Sequence, residues 1–320
     1  MTAFLDEHSE LVRQAADRIR AHVRRTPLLT TDLHRDLRLK PECFQVTGSF
    51  KPRGAFNAVL GLAAQPTRPL GVIAVSSGNH AQAVALAAAT VGLPALILIP
   101  EDANPAKVAA TRALGAEVMQ DGITFANREQ RLREVQAERG FALVHPFDDW
   151  DVIHGQGTVA RELLEDAPDL AVVAVPCGGG GLLSGTAISA KSHHADVRVV
   201  GVEPQAADDA YRSWKSGSIQ VLASAPQTLA DGVRTTAIGT RNFEVMFANR
   251  LVDEIVTVTE DEIAAAVRVA WSRLHLALEP TGALSLAAYL AGKLPKGRTG
   301  LILSGGNANL GTVATLLGSR

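Results

Sequence analysis

The chain has 320 residues, 47% of them hydrophobic, which is enough to bury a large core in one domain or two modest ones. Its 31 basic and 33 acidic residues leave a net charge of −2, which excludes the basic footprint of a nucleic-acid or anionic-membrane binder. A small molecule is therefore the expected partner.

The start of the chain carries Asp6 and Glu7 and lacks the basic and apolar regions of a secretory signal peptide. Its two cysteines, Cys43 and Cys177, lie far apart in the sequence and cannot build a disulfide framework. Both features favour the cytoplasm.

From residue 71 onward, continuously apolar runs alternate with stretches of helical periodicity. Strands covered on both faces are apolar throughout, so each run predicts a strand of a parallel sheet. The predicted strands cover residues 71–75, 95–99, 117–120, 170–175, 197–202 and 300–303. The predicted helices cover residues 81–91, 105–114, 125–139 and 158–165. This alternation indicates an α/β fold with doubly wound parallel sheets.

One apolar stretch, residues 83–100, is long enough to suggest a membrane span. Gly92 and Pro94 divide it, and no basic flank follows. The stretch is therefore predicted to be a helix, a turn and a buried strand, and no membrane partner is expected.

The clearest predicted boundary is a capping box formed by Thr259 and Glu262. Val258, just before the box, is placed to pack against Ile263. The helix that begins here is expected to run to about Leu276.

Three loops that contain glycine each follow a predicted strand, where ligands of parallel sheets bind. They are Ser76-Ser77-Gly78-Asn79-His80, Cys177-Gly178-Gly179-Gly180-Gly181-Leu182 and Ser304-Gly305-Gly306-Asn307. Four successive glycines let backbone N–H groups close on a dianion at a helix N-terminus, so the second loop predicts a phosphate site. It matches neither a dinucleotide fingerprint nor a nucleotide P-loop. A tight turn is the alternative, but it needs only one or two of these glycines.

Lys51 lies in the segment Gly48-Ser49-Phe50-Lys51-Pro52-Arg53-Gly54. A lysine beside an aromatic ring and two glycines can be desolvated, which makes its amine nucleophilic. Taken alone this signal is weak, because a solvated lysine is the common case.

Together these segments resemble the fold-type II pyridoxal-phosphate enzymes, and within them the serine/threonine dehydratase and serine racemase family. The resemblance spans nearly the whole chain. Its motifs occur in order: Arg25-Thr26-Pro27-Leu28, Gly48-Ser49-Phe50-Lys51, residues 76–82, His145-Pro146-Phe147-Asp148-Asp149, Gly155-Gln156-Gly157-Thr158, residues 178–181, Ala230-Asp231-Gly232-Val233, Glu279-Pro280-Thr281-Gly282 and Ser304-Gly305-Gly306-Asn307.

The resemblance implies that Lys51 carries pyridoxal 5′-phosphate covalently. Asn79 would bond the ring hydroxyl and Ser304 would meet the pyridine nitrogen. A neutral hydroxyl there does not hold the ring protonated as a carboxylate would, which favours elimination over transamination. The implied cofactor-binding residues are Phe50, Lys51, Asn79, Gly178, Gly179, Gly180, Gly181, Leu182 and Ser304.

The implied reaction removes the β-hydroxyl of a hydroxy-amino acid such as L-threonine or L-serine, giving a 2-oxo acid and ammonia. Lys51, displaced by the substrate amine, would take the Cα proton. Ser77 stands where serine racemases have a serine that protonates the opposite face of Cα, so racemase side activity is a second possibility. Helix capping by its hydroxyl is the alternative. The substrate carboxylate would be bound by Ser76, Ser77, Gly78, Asn79 and His80.

A divalent-cation site is implied by the segment Glu203-Pro204-Gln205-Ala206-Ala207-Asp208-Asp209, which resembles that of the racemase-like enzymes. Its ligands would be Glu203, the Ala207 carbonyl and Asp209, hard oxygens suited to Mg²⁺ or Ca²⁺. A solvated acidic turn is the alternative.

Some charged residues have no predicted role in the chemistry. His80 is expected to orient its loop, and the arginine-rich residues 128–139 are expected to form a solvated helix face. Two differences from the relatives are expected at the edge of the site, residues 40–43 and His154, and either could affect substrate choice.

The implied fold is of the tryptophan synthase β-like kind, with two doubly wound α/β domains. The large domain would comprise residues 1–64 and 148–320, and the small domain, residues 65–147, would be inserted into it. The cofactor would lie in the cleft between them. The resemblance also implies a homodimer.

The sequence does not separate a dehydratase from a racemase or a threo-3-hydroxyaspartate dehydratase. A non-catalytic ligand-binding relative is an alternative of another class, but Lys51, Asn79 and Ser304 together argue against it. A nucleotide-dependent oxidoreductase lacks its phosphate fingerprint here.

Overall fold

The computed structural model describes residues 2–318, which fold around two sheets. The strands are β1 (Leu29–Thr30), β2 (Leu37–Pro41), β3 (Val72–Val75), β4 (Ala95–Leu98), β5 (Glu117–Met119), β6 (Ala142–Leu143), β7 (Val172–Pro176), β8 (Arg198–Pro204), β9 (Glu254–Val258) and β10 (Thr299–Leu303). The helices are α1 (Thr2–Ile19), α2 (Lys51–Ala63), α3 (Asn79–Val91), α4 (Pro105–Ala113), α5 (Arg128–Arg139), α6 (Trp150–Asp166), α7 (Gly181–His193), α8 (Asp209–Ser216), α9 (Thr240–Phe243), α10 (Glu260–Val269), α11 (Leu284–Leu290) and α12 (Leu310–Gly318).

The larger sheet has six strands in the order β1-β2-β10-β7-β8-β9. Neighbouring strands are parallel except β1 and β2, which are antiparallel. Val173 and Val175 of β7 pack in one core with α6 and α7, whereas Val172 and Ala174 pack in another with α10 and α11. Both faces of the sheet are therefore buried, as its apolar strands predict.

The smaller sheet has four parallel strands in the order β5-β4-β3-β6. Val72 and Ala74 of β3 pack with α2 and α3, and Ile73 and Val75 pack on the other face with α5. The prediction of an α/β fold with parallel sheets is confirmed.

Helix α2 joins the hydrophobic cluster of the smaller sheet, because its Phe56 and Val59 pack with Val72 and Ala74. The packing of this sheet thus reaches back before residue 65. The domain boundaries at residues 65 and 147 stay a prediction.

The start of α10 is formed by the predicted capping box. The Thr259 hydroxyl accepts from the Glu262 N–H at 3.2 Å, and the Glu262 carboxylate accepts from the Thr259 N–H at 2.7 Å. Val258 and Ile263 share one hydrophobic cluster, as the motif predicts.

Two helices differ from their predicted form. Helix α6 begins at Trp150 rather than at residue 158, because Gly155 and Gly157 lie inside it and do not end it. The helix that starts at the capping box changes at Val269 into a π-helical segment, Ala270–Leu274, which ends before the left-handed His275.

The predicted division of residues 83–100 is confirmed, since α3 ends at Gly92, whose φ is 66°, and β4 follows. Within residues 2–318, no helix combines the length and the apolar character that crossing a membrane requires.

Glycines let α6 cross two other helices at close range. A Cβ atom at Gly155 would lie 2.4 Å from the carbonyl oxygen of Arg53 in α2. One at Gly185 of α7 would lie 2.5 Å from the nitrogen of Gly157. The Gly155-Gln156-Gly157-Thr158 motif therefore positions α2, the helix that Lys51 begins.

Behind Lys51 lies a buried charge cluster formed by Lys40, Glu42, Arg53 and Glu162. The Arg53 guanidinium donates to Glu42 at 2.8 Å and to Glu162 at 2.7 Å, and the Lys40 ammonium donates to Glu162 at 2.7 Å. Lys40, Glu42 and Arg53 are each 0% exposed. Residues 40–43 thus contribute buried charges to the interior, and the expectation that they alter the lip of the site is wrong.

Candidate active site

A cavity of about 590 Å³ lies where the carboxyl ends of strands from both sheets meet. All three predicted loops line it: one follows β3 of the smaller sheet, and the other two follow β7 and β10 of the larger. The structure thus brings together the groups that the sequence predicts to bind one ligand.

Lys51 points its amine toward this cavity. Its Nζ donates to the Pro146 carbonyl at 2.8 Å and lies 5.0 Å from the centre of the Phe50 ring. Burial, with no carboxylate beside it, lowers the pKa of Lys51 to about 8. A sizeable fraction of the amine is therefore neutral and nucleophilic near neutral pH.

The glycine run has no room for side chains. A Cβ atom at Gly179 would lie 2.4 Å from the Phe147 ring, and one at Gly180, whose φ is 98°, would lie 2.7 Å from Asn242. Helix α7 begins at Gly181. Among the described residues, the N–H groups of residues 178–181 find no hydrogen-bond acceptor. Unpaired N–H groups at a helix start fit a phosphate.

The third loop brings Ser304 to the cavity, where it is 2% exposed. The loop lies against the lysine segment, because the Phe50 N–H donates to the Ser304 carbonyl at 3.0 Å and Ser49 forms a bridge with Gly305. These contacts hold the hydroxyl of Ser304 near the lysine that begins α2.

The loop after β3 presents Ser76, Ser77, Gly78, Asn79 and His80 to the cavity. The Ser76 hydroxyl accepts from the Gly78 N–H at 3.2 Å. Gly78 is the N-cap residue of α3 and Ser77 is exposed, so capping by the Ser77 hydroxyl is not what the structure shows.

His80 is buried beside Lys51. Its Nε2 lies 2.9 Å from the Val144 carbonyl, which can only accept, so Nε2 carries the proton. Burial, helped by the nearby Lys51, lowers the pKa of His80 to about 3. The ring is therefore neutral near pH 7 and suits the predicted role of orienting its loop.

These features fit pyridoxal phosphate. The cavity offers an amine of lowered pKa, a glycine cradle with unpaired N–H groups and a neutral hydroxyl, each on a different strand end. No carboxylate replaces Ser304 at the end of β10. The donor set matches an aldehyde that bears a phosphate and a pyridine ring.

Four charged residues to which the sequence assigns no role also line the cavity: Lys107, Arg128, Asp231 and Glu279. Lys107 of α4 forms an ion pair with Asp231 at 2.5 Å, which links the two sheets across the cavity. Burial, with a smaller effect of Asp231, raises the pKa of Glu279 to about 7.

Arg128 corrects an expectation, because residues 128–139 do not form a wholly solvated face. Its guanidinium lies 3.6 Å from the centre of the Phe125 ring and faces the cavity. Helical spacing could not indicate this, since Arg128 is the first residue of α5 and lies where the helix meets the cavity.

The acidic residues Glu203 and Asp209 lie outside the cavity lining and are fully buried. Glu203 accepts from the N–H groups of Ala210 at 3.2 Å and Tyr211 at 2.8 Å. Both carboxylate oxygens of Asp209 have no hydrogen-bond partner among the described residues. A solvated acidic turn is therefore not observed, although within residues 2–318 no three His, Cys, Asp or Glu side chains cluster as metal ligands.

His154 lies away from the cavity lining. Its Nε2 is 2.8 Å from Nδ1 of His8, and its ring stacks on Trp150. The expectation that it lies at the edge of the site is wrong, because its place in α6 turns it toward α1.

Comparisons with known proteins agree with this site. A family model described as "Pyridoxal-phosphate dependent enzyme" matches residues 19–305. The L-threo-3-hydroxyaspartate ammonia-lyase of Saccharomyces cerevisiae is 44% identical over 316 residues, which is 97% of this chain and 96% of that protein.

Two solved structures are similar over nearly the whole chain. A bacterial threonine deaminase, from T.th., is 47% identical, with a TM-score of 0.88 over 94% of this chain and 98% of that one. The maize serine racemase is 38% identical, with a TM-score of 0.89 over 96% of this chain and 95% of that one.

Proposed function

Because the chain belongs to the family of pyridoxal-phosphate dependent enzymes, we propose that it removes the β-hydroxyl of a small hydroxy-amino acid. The products are a 2-oxo acid and ammonia. The observation that carries this proposal is Lys51, an amine whose pKa burial lowers to about 8, in a cavity lined by loops with free N–H groups. Similarity to ammonia-lyases supports the choice of reaction.

Each cavity loop has a task in this proposal. The N–H groups of residues 178–182 hold the phosphate, Phe50 flanks the ring, and Asn79 donates to the ring oxygen. Ser304 meets the pyridine nitrogen as a neutral hydroxyl. Bound pyridoxal phosphate supplies electron withdrawal from the substrate Cα.

The substrate is held and deprotonated by two neighbouring groups. Backbone N–H groups of residues 76–80 bind its carboxylate at the start of α3. The neutral amine of Lys51 accepts the Cα proton. The Cα–H and Cβ–O bonds break, water leaves, and hydrolysis of the product releases ammonia and the 2-oxo acid.

Racemisation is the second candidate, and Ser77 is the observation that favours it. Its exposed hydroxyl lines the cavity and makes no hydrogen bond to the described residues. From the face opposite Lys51, this hydroxyl could return a proton to Cα. Serine racemases of Arabidopsis thaliana and maize are 40% and 38% identical to this chain.

The substrate class that Arg128 favours is a hydroxy-amino acid with a second carboxylate. Its guanidinium faces the cavity, where a fork of donors suits a carboxylate. Glu129 lies 3.7 Å from it and offsets part of its charge. We therefore place threo-3-hydroxyaspartate ahead of L-serine and L-threonine.

A divalent cation, Mg²⁺ or Ca²⁺, is proposed at Glu203, the Ala207 carbonyl and Asp209. Two buried carboxylates without a cation repel each other, and burial raises the pKa of Asp209 to about 7. Hard oxygen ligands suit either ion, and water would complete the shell. A homodimer, a cytoplasmic location and the domain boundaries stay predictions from the resemblance.

The experiment that tests the function is the release of 2-oxo acid from L-threonine, L-serine and threo-3-hydroxyaspartate. Wild type is compared with Lys51→Ala and with Lys296→Ala, an exposed lysine outside the cavity. We expect Lys51→Ala to lose at least about 10³-fold in kcat and Lys296→Ala to lose nothing. Wild type that binds the cofactor yet releases no 2-oxo acid would contradict elimination.

The substrate class is tested by Arg128→Gln. We expect KM for threo-3-hydroxyaspartate to rise by about 10- to 100-fold, because a charge-assisted hydrogen bond is lost. KM for L-serine should change little. An equal rise for both substrates would contradict recognition of the second carboxylate.

A further inference from the structure

We infer that Asn307 is a positioning residue that determines which end of the Asn79 amide faces the cofactor ring. It does so through a chain of hydrogen bonds that starts at the main chain of Thr47 and ends at Glu279. We call Thr47, Asn307, Asn79 and Glu279 the amide relay. The inference rests on the proposed function, which places the ring beside Asn79.

The direction of the relay follows from its first contact. The Thr47 carbonyl can only accept, so the Asn307 atom 2.6 Å from it is the NH₂ nitrogen. The same nitrogen lies 2.8 Å from the side chain of Asn79, and its second hydrogen requires the Asn79 oxygen there. One main-chain carbonyl thus sets the polarity of two side-chain amides in series.

The Asn79 NH₂ group is consequently at the far end of its amide. One of its hydrogens goes to Glu279 Oε1 at 2.7 Å. The second finds no acceptor among the described residues, and Asn79 lines the cavity. The relay therefore presents a donor to the ring, and a donor stabilises a deprotonated ring oxygen.

The anchor of the relay is a rigid turn. Thr47 has a φ of 60° and Gly48 a φ of 73°, both in the left-handed region. The Gly306 N–H donates to the Gly48 carbonyl at 2.9 Å, and a Cβ atom at Gly48 would lie 2.4 Å from the Asn307 oxygen. Left-handed threonine is uncommon and is kept by surrounding contacts.

This assigns work to residues that the proposed function leaves without any. Asn307 closes the Ser304-Gly305-Gly306-Asn307 motif, and Glu279 opens the motif Glu279-Pro280-Thr281-Gly282. Glu279 is 3% exposed, so its acceptor is held in a dry site. The relay joins the lysine segment, the start of α3 and the end of β10.

The test is Asn307→Asp, which keeps the shape of the side chain and replaces both N–H donors by an acceptor. Asn79 is then expected to turn its NH₂ toward residue 307 and its oxygen toward the ring. The matched control is Asn309→Asp, an exposed residue whose side-chain oxygen accepts from the N–H groups of Gly311 and Thr312. Aspartate accepts these bonds equally well.

The readout is the visible band of the lysine-linked cofactor, followed against pH, together with the dissociation constant of pyridoxal phosphate. For Asn307→Asp we expect the midpoint of the pH titration to rise by at least one unit and the dissociation constant to rise at least tenfold. Asn309→Asp should match wild type in both.

Asn307→Ala covers the case in which the aspartate variant does not fold, since it adds no buried charge. It removes the directing donor, and we expect a smaller shift in the same direction. Folded variants at position 307 with the wild-type midpoint and dissociation constant would overturn the relay while leaving the proposed function intact. Wild type that forms no lysine-linked cofactor would overturn both.

Discussion

Lys51 reacts through its neutral amine, so the burial that lowers its pKa also sets the pH at which it combines with an aldehyde. With a pKa of about 8, the neutral fraction rises as pH increases toward 8 and saturates above it. A solvated lysine would require a pH near 10.

We therefore predict that the rate at which cofactor-free protein binds pyridoxal phosphate rises with pH and levels off with a midpoint near 8. Stopped-flow absorbance after mixing measures this rate. A rate still rising steeply above pH 9.5 would mean that Lys51 is not desolvated in the way the structure indicates.

Asp209 gives a second prediction at the level of one residue. Without a cation its buried carboxylate has no hydrogen-bond partner among the described residues, so Asp209→Asn should unfold at the same temperature as wild type or higher. With a cation at 100 times its dissociation constant, wild type should gain about 2.7 kcal/mol and Asp209→Asn nothing.

Thermal unfolding with Mg²⁺, with Ca²⁺ and with a chelator measures both effects. Asp121→Asn, an exposed position, is the control and should respond to the cations like wild type. Equal gains for Asp209→Asn and wild type would place the cation elsewhere.

At the scale of elements, the crossing of α2 and α6 depends on the absence of a side chain at Gly155. Gly155→Ala would place a Cβ atom 2.4 Å from the Arg53 carbonyl, and backbone cannot yield cheaply there. We predict a loss of about 2 to 4 kcal/mol in the free energy of unfolding. Cofactor affinity should fall with it, because α2 begins at Lys51.

The control for this change is Gly61→Ala, in the same helix α2. Its Cβ atom would lie 3.5 Å from the nearest atom, of Arg18, which is ordinary contact. Alanine should therefore stabilise the protein by about 0.5 to 1 kcal/mol through its helix propensity. Urea unfolding that gives both variants the same sign would contradict the close crossing.

Apolar strands are the elements that the sequence predicts best. It places strands β3, β4, β7 and β10 within two residues of their observed ends, because both faces of each are buried. It does not indicate strand β2, which carries Lys40, because that charge is accommodated only by Glu162, 122 residues away. The predicted helix α6 is too short because its glycines resemble helix breakers and serve helix crossings instead.

The cavity is predictable only in part for a related reason. Lys51 and the three loops carry local signals, since a strand end followed by glycines is visible in the sequence. Lys107, Arg128 and Asp231 carry no such signal, because each is an ordinary charge until the two sheets bring it to the cavity.

At the scale of the molecule, the ion pair between Lys107 and Asp231 is a direct link between the two sheets across the cavity. Its side chains are 24% and 48% exposed, so salt screens it and its strength is modest. We predict that Asp231→Asn makes the bound cofactor about two- to fivefold more accessible to a soluble fluorescence quencher.

High salt should produce the same increase in wild type and none in Asp231→Asn. Asp32→Asn, which breaks the exposed pair with Arg273, is the matched control and should leave quenching unchanged. A variant at position 231 that is quenched like wild type would show that the pair does not restrict the mouth of the cavity.

The buried charge cluster also sets an order of events during synthesis of the chain. Lys40 and Arg53 emerge long before Glu162, their shared partner, so neither charge is balanced while the smaller sheet is being made. Removing a buried charge from its partner is strongly unfavourable, and α2 cannot be fixed in place until α6 has docked. A nascent chain can thus complete its inserted sheet before its reactive lysine is positioned, which makes loading of the cofactor a late step in the life of the polypeptide.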